Sequence, residues 1–543
     1  MSKIASYLQE HIKGRVSTNA AVLKAASIDE SVLTMTPELV IYPKLTNDIR
    51  KVLRFAWQLA EKGHTLPITP RGFGGDQTGA AIGKGAVMVL PTYMNRVYEL
   101  DTKQKLVRVQ PGASIRALGD TLALSGLAIP ALVGQSYDST VGGAVANNTR
   151  GPLSGRFGDM AEWTHQLEVV LATGEVLQTG RLSKRDLEKK KGLQTFEGEI
   201  YRSIDGLIED NHGLIDRELS GEVISNSGYS SIAKVKRKDG SFDLTPLFVG
   251  SQGTLGIISE LILKAEFMGS HRSAAIATFK SVDSARDAVD ALSQLEPTYL
   301  EYFDSALFAI AAAQGKSYDF YKNAPSPVKA VILIGFDAFN NRVTRQKIKK
   351  AEKILSKQDT ELVIAEGEDV EDLLAVRDIA SYLLLPSEKE LSAPALFDGV
   401  YIPSEHFMTF SKAIRELGAK YEVVLPLYTR ETDGTVFTRP LLRLARPADK
   451  QKMFKLLDEY AQLVGKLGGD FVALDGEGRV KTRHARALMH EDTVKLFDEI
   501  KSVFDPYGIL NPGVKQQIEP RTIVSSIRND YSTVAYVSQP AAY

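Results

Sequence analysis

Glycine is the residue whose spacing first suggests chemistry. Six glycines, at 72, 74, 75, 79, 83 and 85, fall in RGFGGDQTGAAIGKG (71–85), and five more lie within 142–158. Such density either brings backbone close to a ligand or supplies several turns with positive φ. Neither run is a common nucleotide loop. GAAIGKGA (79–86) has one residue too few between Gly79 and Gly83 for a P-loop, and no Ser or Thr follows Lys84. RGFGGDQTG lacks the GxGxxG spacing and no clear helical pattern follows it, so a nicotinamide site is unsupported. No G-x-S-x-G nucleophile elbow is present. Histidines number eight and are scattered. His484 and His490 lie six apart, on different faces of a helix, and read as ordinary surface or helix-end residues rather than metal ligands. With no cysteine at all, disulfides, thiolate catalysis, cysteine-ligated zinc, iron–sulfur clusters and a cysteinyl cofactor bond are excluded.

The elements that position these loops read as short strands and amphipathic helices. A helical lead-in occupies residues 1 to about 35. ELVIYP (38–43), AVMVLP (86–91) and LVRVQPG (106–112) are apolar or alternating runs ended by Pro or Gly, as strands tend to be. Between about 270 and 365 strands alternate with helices. SAAIATF (273–279) precedes a helix that Ser281 can cap and whose Ala285, Val289, Leu292 and Leu295 share a face. VKAVILIGFD (328–337), the basic helix RVTRQKIKKAEKIL (342–355) and ELVIAEG (361–367) follow, which predicts an α+β unit with helices on one face of its sheet. DTVKLFDEIKSVFDPYG reads as a helix stopped by Pro506 and Gly508. The polar stretch 516–543 reads as a tail, ordered only where it docks. No internal repeat is visible.

A chain of 543 residues implies two or more domains. Its 43% hydrophobic and 24% charged residues are ordinary for a globular protein. Sixty-six basic against sixty-seven acidic residues give a net charge of −1, which argues against a chain-wide footprint for nucleic acid or anionic membrane. No apolar run is long enough to span a bilayer, and the amphipathic N-terminus lacks the apolar region of a signal peptide. A soluble, cytoplasmic, multidomain protein is the expectation.

Four segments in order resemble the flavoprotein family of vanillyl-alcohol oxidase and p-cresol methylhydroxylase, above all its D-lactate dehydrogenase and glycolate oxidase flavin-subunit branch. They are PRGFGGDQTGA (70–80) with VMVLPTYMNRVYELD (87–101), and VQPGAS with ALVGQSYDSTVGGAVANNTRG (131–151) and RFGD (156–159). LEVVLATGEVLQTG (167–180) with LFVGSQGTLGIISELILK (247–264), and FDPYGILNPGVK (504–515), complete the set. The resemblance implies a two-subdomain FAD-binding domain of the p-cresol methylhydroxylase type over 36–268. It also implies a ferredoxin-like α+β substrate domain over 269–470 and a C-terminal segment, 471–515, returning to the flavin. The cofactor would be FAD, held by the first loop from Arg71 through Gly72, Phe73, Gly74, Gly75 and Asp76 to Gln77. Gly72, Gly74 and Gly75 would form an anion-binding nest for the pyrophosphate, with Thr140, Gly142 and Gly143 as further donors and Asn147 as a side-chain amide. The resemblance further implies that Ile258 meets the cofactor through its backbone and that Asn511 lies beside the flavin. The plain alternatives are that the glycines only make turns, that Ile258 is a strand residue and that Asn511 precedes a turn. Covalent members attach flavin through His or Cys. Here no His lies within 71–160 and the nearest, His64 and His165, match no motif position, so non-covalent FAD is expected.

The substrate half departs from the pattern. The branch usually carries His-x-Gly-Asp-Gly-Asn-x-x-His and Gly-Glu-His-Gly, whose residues hold a divalent metal and take the substrate proton. Here PLYTRETDGTVFTRP (426–440) puts Arg430 and Phe437 at the two histidines, and ALDGEGRVK (473–481) puts Leu474 at the glutamate and Asp475 at the proton acceptor. Leu and Phe have no lone pairs to offer and guanidinium is a permanent cation, so a metal site of the family's kind is not expected. Arg430 could hold an anion in the metal's place, Arg377 lies where the family often has a substrate-facing arginine, and Asp475 could accept a proton. Equally, Arg430 could be an exposed charge and Asp475 could merely cap a turn. The expected activity is hydride transfer from an alcohol or hydroxy-acid-like small molecule to FAD, with quinone, protein carrier or oxygen as acceptor. The alternative is a flavin-binding relay or scaffold subunit. A homodimer or a place in a complex is compatible with either.

Overall fold

A computed structural model of the chain describes residues 3–135, 139–221, 225–325, 327–357, 361–379 and 391–529. The lead-in folds as helices Lys3–His11 and Ala20–Ala26 with a strand, β1 (Arg15–Ser17), between them. Strand β1 pairs antiparallel with β2 (Leu39–Tyr42), which runs parallel to β4 (Ala86–Val89), itself parallel to β3 (Ile68–Arg71). The lead-in is therefore not purely helical: Val16 buries its side chain and closes one edge of this sheet. Helix Thr46–Glu61 lays Ile49, Val52, Leu53 and Ala56 on the sheet, the i, i+3, i+4, i+7 spacing its sequence shows.

A second, antiparallel sheet has the order β5 (Val97–Asp101), β6 (Leu106–Val109), β10 (Ile257–Lys264), β8 (Thr164–Val170), β9 (Val176–Gln178). A two-stranded ribbon of β7 (Leu127–Ala128) and β11 (Glu266–Phe267) flanks it. Ile115, Leu118 and Leu122 of one helix, and Leu496, Phe497, Ile500 and Phe504 of helix Glu491–Phe504, fill its core. That last helix ends at Phe504, and the chain then runs beside β3, where the Ile68 amide donates to the Ile509 carbonyl and the Asn511 amide donates to the Ile68 carbonyl. So the C-terminal segment is part of the same structure as the first glycine loop.

The third sheet has seven strands in the order β15 (Leu362–Glu366), β12 (His271–Phe279), β14 (Ala330–Ala338), β13 (Tyr299–Asp304), β17 (Tyr428–Arg430), β18 (Thr435–Phe437), β16 (Val400–Tyr401). Ser281 caps helix Val282–Ser293 by accepting from the Ser284 amide, and Ala285, Val289 and Leu292 pack on the sheet as the sequence predicts; Leu295 lies just past the helix and packs there too. The expectation of one covered face is corrected. Ala275, Ala277, Ile332 and Ile334 face one cluster, whereas Ala274, Ile276, Val331 and Leu333 face another built with Leu307, Phe308, Val370 and Val376. Successive strand residues point to opposite faces, so the unbroken apolar runs of β12 and β14 require two covered faces.

The tail docks in part. Helix Pro520–Ser525 carries Ile523 into the core and Ile527 bridges to Leu33. Residues 530–543 lie outside the described residues. Among the described residues, no helix is long and apolar enough to cross a membrane.

Candidate functional site

Strand β3 ends at Arg71 and delivers the glycine loop to a cavity of about 580 Å³ bounded by all three sheets' loops. Arg71 lines it only from beneath the loop. The guanidinium is buried under the loop, donating from Nη1 to the Ala81 carbonyl (3.0 Å) and from Nη2 to the Ile28 carbonyl (2.8 Å). Gly74 sits directly over it with φ +89°, and a Cβ there would come 2.1 Å from Arg71 Nη2. Asp76 closes the loop by accepting from the amides of Thr78 (2.8 Å) and Ala80 (2.9 Å) through Oδ1. Among the described residues, the amides of 72–77 donate to no other group, and only open space or distant side chains face Gly75. A run of unspent donors with no side-chain bulk beside it fits an anionic, phosphate-bearing group.

The second glycine run behaves differently. Thr140 caps helix Val141–Ala146, its Oγ1 accepting from the Gly143 amide (3.1 Å), while the Gly142 amide donates to the Pro111 carbonyl (2.8 Å). Both donors are spent inside the protein. A Cβ on Gly142 would meet Pro111 at 2.6 Å and one on Gly72 would meet Thr140 Oγ1 at 2.3 Å, so these glycines let the two loops close on each other. Asn147 is also engaged, donating to Asp76 Oδ2 (3.3 Å) and accepting from Gln252 Nε2 (3.0 Å). Thr140, Gly142, Gly143, Asn147 and Ile258 all line the cavity beside Gly72, Phe73, Gly74, Gly75, Asp76 and Gln77.

The opposite wall comes from the third sheet and the C-terminal segment. The β17–β18 hairpin pairs Arg430 with Thr435 and turns at Gly434 (φ +67°), which presents Arg430 and Phe437 from adjacent strands. Arg430 is buried, not an exposed charge. Its Nη1 donates to the Arg150 carbonyl (2.8 Å), its guanidinium carbon lies 4.8 Å from the Phe437 ring centre, and among the described residues Nε has no hydrogen-bond partner. Leu474 and Asp475 join the same wall. Asp475 adopts φ +54° and accepts weakly from Thr149 Oγ1 (3.4 Å). Burial, then the nearby Asp76 charge, pushes its carboxyl up to about 6, against the pull of Lys481 and Arg430.

Two expected site residues stand outside the cavity wall. Arg377 forks Glu301, with Nε at 2.8 and 3.1 Å from its two oxygens, and stacks 4.5 Å over Tyr299, because a buried carboxylate on β13 claims it. Asn511 is a fully buried brace. It donates to the carbonyls of Ala80 (2.9 Å) and Gln252 (2.8 Å) and accepts from Thr69 (3.0 Å) and Arg479 (2.9 Å).

His484 also departs from expectation, being buried with Nε2 2.7 Å from Asp458; His490 does cap helix Glu491–Phe504. Among the wall residues that the sequence reading does not assign to the site are Gln252, Arg439 and Lys481. Gln252, at φ +52°, ties Asn147 to the Gly478 amide (2.9 Å); its place between Ser251 and Gly253 in a glycine-rich turn was the available signal. Arg439 pairs with Asp398 and reaches Gln77 (3.3 Å), and Lys481 is buried with its ammonium on the Asp398 carbonyl. Neither gives a periodic or spacing signal. Among the described residues, no group of three His, Cys, Asp or Glu side chains could hold a metal.

Residues 37–180 match the family model described as an FAD binding domain, and residues 269–514 match the one described as the C-terminal domain of FAD linked oxidases. The chain is 24% identical over 480 residues to the glycolate oxidase subunit GlcD of Bacillus subtilis (strain 168), covering 88% of each. It is 25% identical over 525 residues to the D-2-hydroxyglutarate dehydrogenase of Escherichia coli (strain K12), covering 93% of this chain but 50% of that one. The chain thus spans about half the length of such dehydrogenases. A solved structure of 4-ethylphenol oxidase from Gulosibacter chungangensis superposes with a TM-score of 0.66 at 16% identity, covering 95% of this chain and 97% of that one.

Proposed function

The chain belongs to the FAD-linked oxidases, with FAD as its cofactor, and from that premise we propose that it oxidises the CH–OH group of a hydroxy acid without a divalent metal. The observation that carries this reading is the pairing, in one wall of the loop cavity, of a buried guanidinium at Arg430 with a half-buried carboxylate at Asp475. Bound FAD supplies the hydride acceptor. The free amides of 72–77 would hold its pyrophosphate, while the Thr140–Gly143 turn and Asn147 brace the loop and have their donors already engaged. Among the described residues no histidine or cysteine lines the cavity, which supports a non-covalent flavin.

Arg430 anchors the substrate carboxylate and offsets negative charge that develops as hydride departs. Asp475 takes the hydroxyl proton, and its raised pKa brings it closer to the range where a carboxylate serves as base near neutral pH. Phe437 and Leu474, at positions where relatives carry ligands, exclude water instead of binding metal. Bound FAD would pass its electrons to a quinone, a protein carrier or oxygen.

The test is anaerobic bleaching of the flavin by a panel of hydroxy acids and plain alcohols. Hydroxy acids should bleach it and alcohols of the same size should not. Equal bleaching by alcohols lacking a carboxylate would remove the role given to Arg430.

A further inference from the structure

Cations in the cavity wall are not equivalent. Arg71 spends both terminal nitrogens on carbonyls beneath the first loop. Arg430 is fixed to the Arg150 carbonyl and stacked on Phe437. Arg439 is neutralised by its ion pair with Asp398. Lys481, like Arg71 and Arg430, has no carboxylate within ion-pair distance among the described residues, but it is an ammonium, 4% exposed, that donates to a single main-chain carbonyl, that of Asp398. Burying an ammonium without a carboxylate is costly, and burial indeed pulls its pKa down. Of the acidic groups in the wall, Asp398, whose own carboxylate belongs to Arg439, and Asp475 act on it most, with Asp470 behind the wall adding to them, while Glu30 and Asp76 line the wall elsewhere.

We propose that Lys481 is the fixed cation around which negative charge moves during the reaction, balancing Asp475 before turnover and the reduced flavin after it. The charge accounting is direct. Hydride carries two electrons and one proton to the flavin, leaving it one negative charge richer, while the hydroxyl proton neutralises Asp475. The carbon–hydrogen and oxygen–hydrogen bonds of the substrate break and a carbonyl forms. One negative charge has thus passed from Asp475 to the flavin, and the cavity's net charge is unchanged. Lys481 stands in the same wall throughout, with no carboxylate partner to compete. The charge-transfer part rests on the reading of Asp475 as proton acceptor; the effect of Lys481 on the flavin does not.

The experiment therefore uses no substrate: the two-electron midpoint potential of the flavin in the purified, FAD-loaded full chain, measured against reference dyes. Lys481→Met should favour oxidised over reduced flavin by at least tenfold, a drop of about 30 mV for a two-electron couple. Lys481→Arg should restore most of it. Asp475→Asn should shift the potential upward, since it removes the charge that competes for Lys481. A merely structural lysine predicts no such opposite signs. A Lys481→Met protein that keeps FAD at the wild-type potential overturns the proposal. So does an Asp475→Asn protein whose potential falls or stays level, which decides the matter even if Lys481→Met fails to fold. Failure of every hydroxy acid to bleach the flavin would overturn the substrate reading and leave these potentials as they are.

Discussion

Gly74 and Arg71 form a unit at the residue scale: the glycine's positive φ and missing Cβ leave room for a guanidinium that props the loop from below. Gly74→Val should abolish FAD retention, measured as the flavin-to-protein absorbance ratio of the purified protein, because the new side chain collides with Arg71 rather than with the ligand. Arg430→Met should slow anaerobic flavin reduction about ten- to a hundred-fold, since a charge-assisted hydrogen bond contributes on the order of 1.5–3 kcal/mol, with FAD content unchanged. Arg430→Lys should recover only part of the loss, a point charge being unable to reproduce the fork. Asp475 fixes the pH dependence. A base must be ionised, so the reduction rate should fall as pH drops through about 6, and Asp475→Asn should be slow with that limb flattened. The fold shows the opposite sign. A carboxyl raised in the folded state binds its proton more tightly there than in the unfolded chain. Its ionisation therefore costs stability above pH 6, and that cost disappears as pH falls toward the ordinary carboxylate range. These roles were only partly legible in the sequence. Motif register identified Arg430 and Asp475, but nothing in the chain order revealed that Glu301, more than seventy positions away, would claim Arg377.

Among elements, the β17–β18 hairpin presents Arg430 and Phe437 to the cavity and the loop after β3 presents its backbone amides. Gly434→Ala tests the hairpin. It would force φ +67° on a residue with a Cβ and place that Cβ 2.8 Å from the Tyr401 ring, so melting temperature should drop together with the rate of flavin reduction. The strands at 38–43, 86–91 and 106–112 and the helix capped by Ser281 were legible because period and punctuation agree there. Coverage of the third sheet on both faces was misread, although the continuous apolar runs of β12 and β14 carried the signal. For the second glycine run the resemblance implies further donors at Thr140, Gly142 and Gly143. Only the hydrogen bonds of Gly142 and Gly143 to Pro111 and Thr140 show that its amides are already committed. Composition gives glycine count, not which amides remain free.

For the whole molecule, the first loop, the third-sheet hairpin and the segment 473–481 meet only because the chain's last third folds back on its first. Gln252 and Asn511 are the cross-links, joining residues 226 and 442 positions apart in sequence. Long-range pairing of this kind leaves no local trace, so a sequence reading can order the segments but not their contacts. This FAD-linked oxidase is proposed to work with Arg430 and Asp475 at positions where the resemblance implies metal ligands and a base. One measurement tests it most directly: the rate of anaerobic flavin bleaching by the best hydroxy acid, before and after exhaustive chelation. The expected result is complete bleaching at an unchanged rate. Bleaching that is lost on chelation and returns with zinc or manganese would contradict the account.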